Sequence, residues 1–204
     1  MKRRIGPLLP VVSIAITTGI TLILIAKYGM KPRAFVEALG WLTKVSFLIF
    51  LLVFVTRPLH DLFKNRATAW LLANRRYLGL TFAVWHLIHW PILGSIVYLV
   101  GWAKFWKAFH TIVIPAGCIL VVITILAATS NNASQRFLGK RVWSAIHTVG
   151  VYVIWGWFAK VYVLSKLPTL ASFESRPYIF VYVTLLFAAM ALRLVMAARR
   201  LARG

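Results

Sequence analysis

Residues 8–26, LLPVVSIAITTGITLILIA, hold no charged side chain. A helix rises about 1.5 Å per residue, so a run of this length roughly crosses the ~30 Å hydrocarbon core of a bilayer. Further apolar stretches follow at 41–56, 77–103, 109–129, 142–165 and 178–198. Between them stand the residues that end or turn helices: Gly29 and Pro32, Arg57-Pro58, Gly101, Thr129-Ser-Asn-Asn132, Pro168 and Pro177. The pattern predicts an all-α integral membrane protein, a six-transmembrane-helix bundle forming a single domain over residues 1–204. The second stretch is expected to be short, or to let Lys44 snorkel to the interface, because Lys44 lies near its start and Arg57 follows its end.

Composition points the same way. Of the 204 residues, 61% are hydrophobic and only 13% charged, with a mean hydropathy of +0.83. The three acids, Glu37, Asp61 and Glu174, face 24 Lys and Arg, a formal charge of +21. A soluble domain carries about 25% charged residues, so an ordinary solvated surface is excluded. Met1-Lys-Arg-Arg4 before an apolar run imitates a secretion signal, but no Ala-x-Ala type cleavage site follows, so a retained first helix is expected. Six spans in this length leave no room for a soluble catalytic domain. The single cysteine, Cys118, excludes an intrachain disulfide framework and reads as a small packing residue.

Basic residues retained on the cytoplasmic side set orientation. Fifteen of them fall on the face that holds both termini and nine on the other, so both termini are expected in the cytoplasm. Because the charges are distributed between apolar spans, they fit membrane lipids or an acidic partner on the cytoplasmic loops, and not nucleic acid.

Ionisable groups inside hydrocarbon are costly and mark function by default. His60 and His110 fall near span ends and read as interfacial. His86 and His89 lie deep in the third span, three residues apart and so on one helix face, and His147 lies in the fifth. At about 1.5 Å per residue, His86 and His89 stand about 14 and 18 Å above Tyr77, and His147 about 8 Å above Val142, or about 20 Å above Ser134 if its helix begins there. Either member of the pair is therefore expected to be able to face His147. Pro91 leaves the carbonyl of Leu87 without its helical donor, so the third helix is expected to bend there. Facing imidazoles in an apolar bundle suit a b-type haem. Zinc would need more ligands than the spans supply. The alternative is a set of polar contacts between helices.

Two segments carry a resemblance. RRYLGLTFAVWHLIH, residues 75–89, and the set Thr129-Ser130, Gln135-Arg136-Phe-Leu-Gly-Lys140, Trp143-Ser-Ala-Ile-His147 and Tyr152 resemble the ferric-reductase-like transmembrane family. Within it the chain is similar to the MsrQ-type haem-binding membrane subunits of bacterial protein-methionine-sulfoxide reductase systems. The motifs span about forty residues. The resemblance implies that His89 and His147 are the axial metal ligands of one haem b. It implies electron transfer in the bacterial inner membrane from a cytoplasmic flavin reductase or the quinone pool to a periplasmic molybdenum-containing reductase. A second haem, or FMN or quinone at the cytoplasmic side, belongs to the same picture.

Three features depart from the family pattern. Lys160 stands where relatives carry a second histidine of the fifth span, the Leu138-Gly139-Lys140 element lies one residue farther from His147, and His86 is additional, as an alternative ligand, a supporting donor or a packing residue. Arg75, Arg76 and Arg136 are candidates for pairing with haem propionates. With no Gly-x-Gly-x-x-Gly stretch, the donor is expected to be a separate protein or a quinol. The chain reads as an electron conduit, not catalytic on its own. A stand-alone haem-dependent ferric or quinone reductase is the alternative within redox chemistry. A haem-free transporter or assembly factor with a polar histidine path is the alternative outside it.

Overall fold

The computed structural model describes residues 6–166 and 177–202. Lys2 to Arg4, Pro168, Glu174, Arg176 and Arg203 lie outside the described residues. Helices α1 (Leu8–Tyr28), α2 (Pro32–Phe63), α3 (Arg66–Leu87), α4 (His89–Val100), α5 (Trp102–Ala128), α6 (Asn132–Ala159) and α7 (Pro177–Leu201) follow in order, with a π-helical stretch Lys160–Lys166 after α6. Six helical segments are long and apolar enough to cross a membrane, α3 with α4 forming one and α6 with the π turn another. This is the architecture of a multi-pass membrane protein. Helix is what the medium requires, because hydrocarbon offers backbone N–H and C=O groups no other partner.

Local chemistry places the ends. Gly29 takes φ 74° and its N–H bonds the Ile25 carbonyl at 2.8 Å, which stops α1. Pro32 opens α2 in the first turn, where no donor is missed. Asn65 and Asn131 cap α3 and α6, accepting from the Thr68 and Ser134 N–H groups at 2.9 and 2.7 Å. Gly139, at φ 74° and ψ 151°, kinks α6.

Several boundaries differ from the sequence reading, α5 and α6 beginning at Trp102 and Asn132, ahead of the expected 109 and 142. α2 runs 32 residues instead of stopping near 56. It tolerates Lys44 because that ammonium lies over the rings of Trp41 and Tyr178, 4.8 and 4.6 Å from their centroids. His60 consequently sits in the last turn of α2, its Nδ1 3.2 Å from the Thr68 hydroxyl, and not in a loop. The third span starts at Arg66 and breaks at Ile88, three residues before Pro91 and one before His89. Cys118 is exposed on α5 and does not pack inside.

The core is continuous through α2. Phe47, Phe50 and Phe54 are buried with Phe82, Phe158, Tyr162 and Leu186, while Ala34, Ala38 and Leu42 pack with Trp85, Ile96 and Phe105. Ring contacts fix the register of neighbouring helices. Phe54 meets Tyr152 at 5.9 Å, Phe50 meets Phe82 at 5.5 Å and Phe158 at 5.3 Å, and Phe47 meets Tyr162 at 4.9 Å.

α5 and α6 approach through Gly150, where an added Cβ would stand 2.8 Å from Leu126 Cδ2. Gly150→Val is expected to cost about 1–3 kcal/mol by overpacking. Gly156→Ala, which meets open space, should not destabilise. Thermal unfolding in detergent, followed by tryptophan fluorescence, checks the contrast.

Candidate functional site

A cavity of about 700 Å3 opens between α2, α3, α5, α6 and α7. Its inner wall is apolar, built by Phe50, Phe54, Phe82, Ile123, Leu126 and Ile154. Five arginines line the cavity, Arg57, Arg75, Arg76 and Arg200 toward the mouth, beside Asn131, Asn132 and Gln135, and Arg193 deeper, at the level of Phe54. Glu37 and Asp61 are the acids among the described residues. Asp61 pairs with Arg200, and Glu37 is exposed near the other end of α2. The mouth is therefore a strongly electropositive rim on a low-dielectric pocket, an arrangement that concentrates anions.

Each arginine is held differently. Pro58 has no N–H to give the carbonyl of Phe54, and Arg193 supplies the missing donor at 3.3 Å. The Arg193 guanidinium also covers the rings of Phe54 and Tyr152, 4.4 and 4.8 Å from their centroids. Arg76 reaches the Asn132 amide oxygen at 3.4 Å. Arg57 and Arg75 have no carboxylate partner among the described residues.

His147 lines this cavity. Trp143, one turn earlier, lies 4.2 Å from it between ring centroids and donates its indole N–H to the Thr129 carbonyl at 2.8 Å. The Thr129 hydroxyl stands 2.7 Å from the Ile125 carbonyl and 3.0 Å from His147 Nε2. With its one proton on the Ile125 carbonyl, it accepts Nε2–H from the neutral imidazole, which leaves the Nδ1 lone pair free among the described residues.

His86 and His89 lie elsewhere. Their rings stack at 5.1 Å, and neither lines the cavity. His89 donates Nδ1–H to the Trp85 carbonyl at 2.7 Å and turns Nε2 to the Thr43 hydroxyl of α2 at 3.2 Å. His86 sits behind Phe82, at 4.5 Å, and against Phe158, at 6.0 Å, with a buried Nδ1 that has no hydrogen-bond partner among the described residues. Phe158 is eleven residues beyond His147 on α6, so the two levels differ by roughly 16 Å along the helix. A metal–imidazole bond is about 2 Å long, so two imidazoles on one metal must approach within about 4 Å. The structure does not bring His86 or His89 to His147. It does bring Arg75 and Arg76 to His147. Arg136 is exposed on α6 and does not line the cavity, and His110 is exposed on α5.

Sequence reasoning missed Arg57, Arg193, Met196 and Arg200 as members of one site. One signal was present, since Arg193, Met196, Ala197 and Arg200 recur at the spacing of a single helix face.

No family model matches the chain, and no curated protein or solved structure matches it significantly.

The two histidine environments differ in access. Diethyl pyrocarbonate should modify His147 and exposed His110 while sparing His86. Equal reaction at His86, read by peptide mass spectrometry, would show that the cavity extends past Phe82.

Proposed function

We propose that the chain is a membrane electron-transfer protein whose cavity takes one haem b. The observation that carries this reading is the meeting, in one cavity, of a lone imidazole, an aromatic inner wall and an arginine mouth. The volume falls in the range of about 300–1,000 Å3 typical of small-molecule sites. His147 would supply a neutral nitrogen, held in orientation by Thr129 and flanked by Trp143. Phe50, Phe54, Phe82 and Ile154 would exclude water from an apolar macrocycle, and Arg75 and Arg76, with Arg57, would pair with its propionates. When bound, the haem supplies a one-electron ferric/ferrous couple.

The rest of the reading rests on the resemblance of residues 75–89 and 129–152 to ferric-reductase-like proteins. The bias of basic residues, 15 of 24 on one face, favours the arginine mouth and both termini on the cytoplasmic side, and the resemblance implies a bacterial inner membrane. Electrons would enter there from a flavin reductase or a quinol and leave toward a periplasmic molybdenum-dependent methionine-sulfoxide reductase. The distance of His86 and His89 from His147 favours a second reading, a haem-free protein that binds an anionic amphiphile at the same rim.

A reduced-minus-oxidised spectrum of detergent-purified protein, with haem quantified per chain, separates the two. We expect one b-type haem per chain and loss of most of it in His147→Ala. Absence of haem after expression with ample haem supply would overturn the electron-transfer reading and leave the anion site.

A further inference from the structure

We propose that Met196 would serve, with His147, as the second protein ligand in the cavity, so that the site is a histidine–methionine pair. The inference rests on the haem reading and concerns which side chain completes the metal site.

The register of α7 against α6 carries it. Phe54 touches Tyr152 at 5.9 Å, Arg193 bonds the Phe54 carbonyl at 3.3 Å, and the same guanidinium covers Tyr152 at 4.8 Å. Phe54, Tyr152 and Arg193 therefore share one level of the bundle. From that level His147 lies five residues toward the basic mouth on α6, and Met196 lies three residues toward the same mouth on α7. At about 1.5 Å per residue the two differ by only about 3 Å along the axis. Both border the cavity, and Met196 is 7% exposed. Ala197, beside it on the lining face, leaves room that a larger residue would fill.

The donor set narrows the choice. Among the described residues that line the cavity, His147 offers the one imidazole and Met196 the one sulfur. Cys118 is exposed outside it on α5, and the ring of Tyr152 is covered by Arg193. A thioether is a neutral, soft donor that needs no deprotonation, which suits a wall without compensating acids. Paired with imidazole it raises the reduction potential, favouring uptake of an electron from the cytoplasmic side.

The test is optical spectroscopy of the purified protein with haem bound, in four variants. Wild type should be low-spin, with the weak long-wavelength sulfur-to-iron charge-transfer band in the ferric state. Met196→Leu should keep its haem, lose that band and become high-spin. Met196→His should restore a low-spin spectrum without the band and lower the potential. His86→Ala and His89→Ala should leave the wild-type spectrum unchanged. A wild-type spectrum of two imidazoles that survives Met196→Leu and is lost in His89→Ala would overturn the assignment while keeping the haem. A wild type that takes up no haem would overturn the underlying reading instead.

Discussion

The phenylalanine stripe of α2 sets the register on which everything else depends. Phe47, Phe50 and Phe54 recur at three- and four-residue intervals and are almost fully buried. Between helices in lipid the hydrophobic effect supplies little, so close packing has to provide the attraction. Aromatic pairs contribute about 0.5–1.5 kcal/mol each beyond the area they bury. They also act as spacers: with Phe50 against Phe82 and Phe158, and Phe54 against Tyr152, α3 and α6 cannot slide past one another. That lock puts His86 level with Phe158, and it leaves His147 level with Arg75 and Arg76, midway along α3.

A second constraint is charge. Burying a guanidinium without a partner is expensive, and this chain has almost no carboxylates to offer. Its cations are accommodated by other chemistry. Lys44 rests on two aromatic faces, and Arg193 caps a carbonyl that Pro58 has deprived of its donor. Among the described residues, Arg200 takes the one carboxylate near the cavity, on Asp61. Arg57 and Arg75 are left at the rim without such compensation, and that is why the site reads as an anion receptor whatever its occupant.

The spans were legible in the sequence because each needs only length and apolar character. The bend near Pro91 was legible because it follows from one missing donor. Helix limits were less so, since Lys44 looks like a terminator until Tyr178, far along the chain, provides a surface for it. Pairing of the histidines was not legible. Counting residues upward from Tyr77, and from Val142 or Ser134, treats both helices as if they started at one level. α3 in fact begins eleven residues before Tyr77, and α6 is kinked at Gly139. Relative height is a property of side-chain packing between helices, which no single stretch encodes. The cavity face of α7 was visible as a periodic pattern, yet nothing local says that Met196 and His147 border the same space.

The shape of the cavity bears on what can cross this bundle. It occupies one end, and beyond Phe82 and Phe158 the interior is filled by Phe47, Tyr162 and Tyr182, with ring centroids about 5 Å apart. Phe47, Phe158 and Tyr162 are wholly inaccessible. A solute or ion entering at the arginine rim meets this plug at native packing density and would need the helices to part. An electron needs no such opening, because it requires a held cofactor and a short packed path and not a wet one. The same aromatic residues that fix the register thus make passage of matter difficult, which favours a conduit for charge over a pore among the readings that the arginine-lined cavity allows.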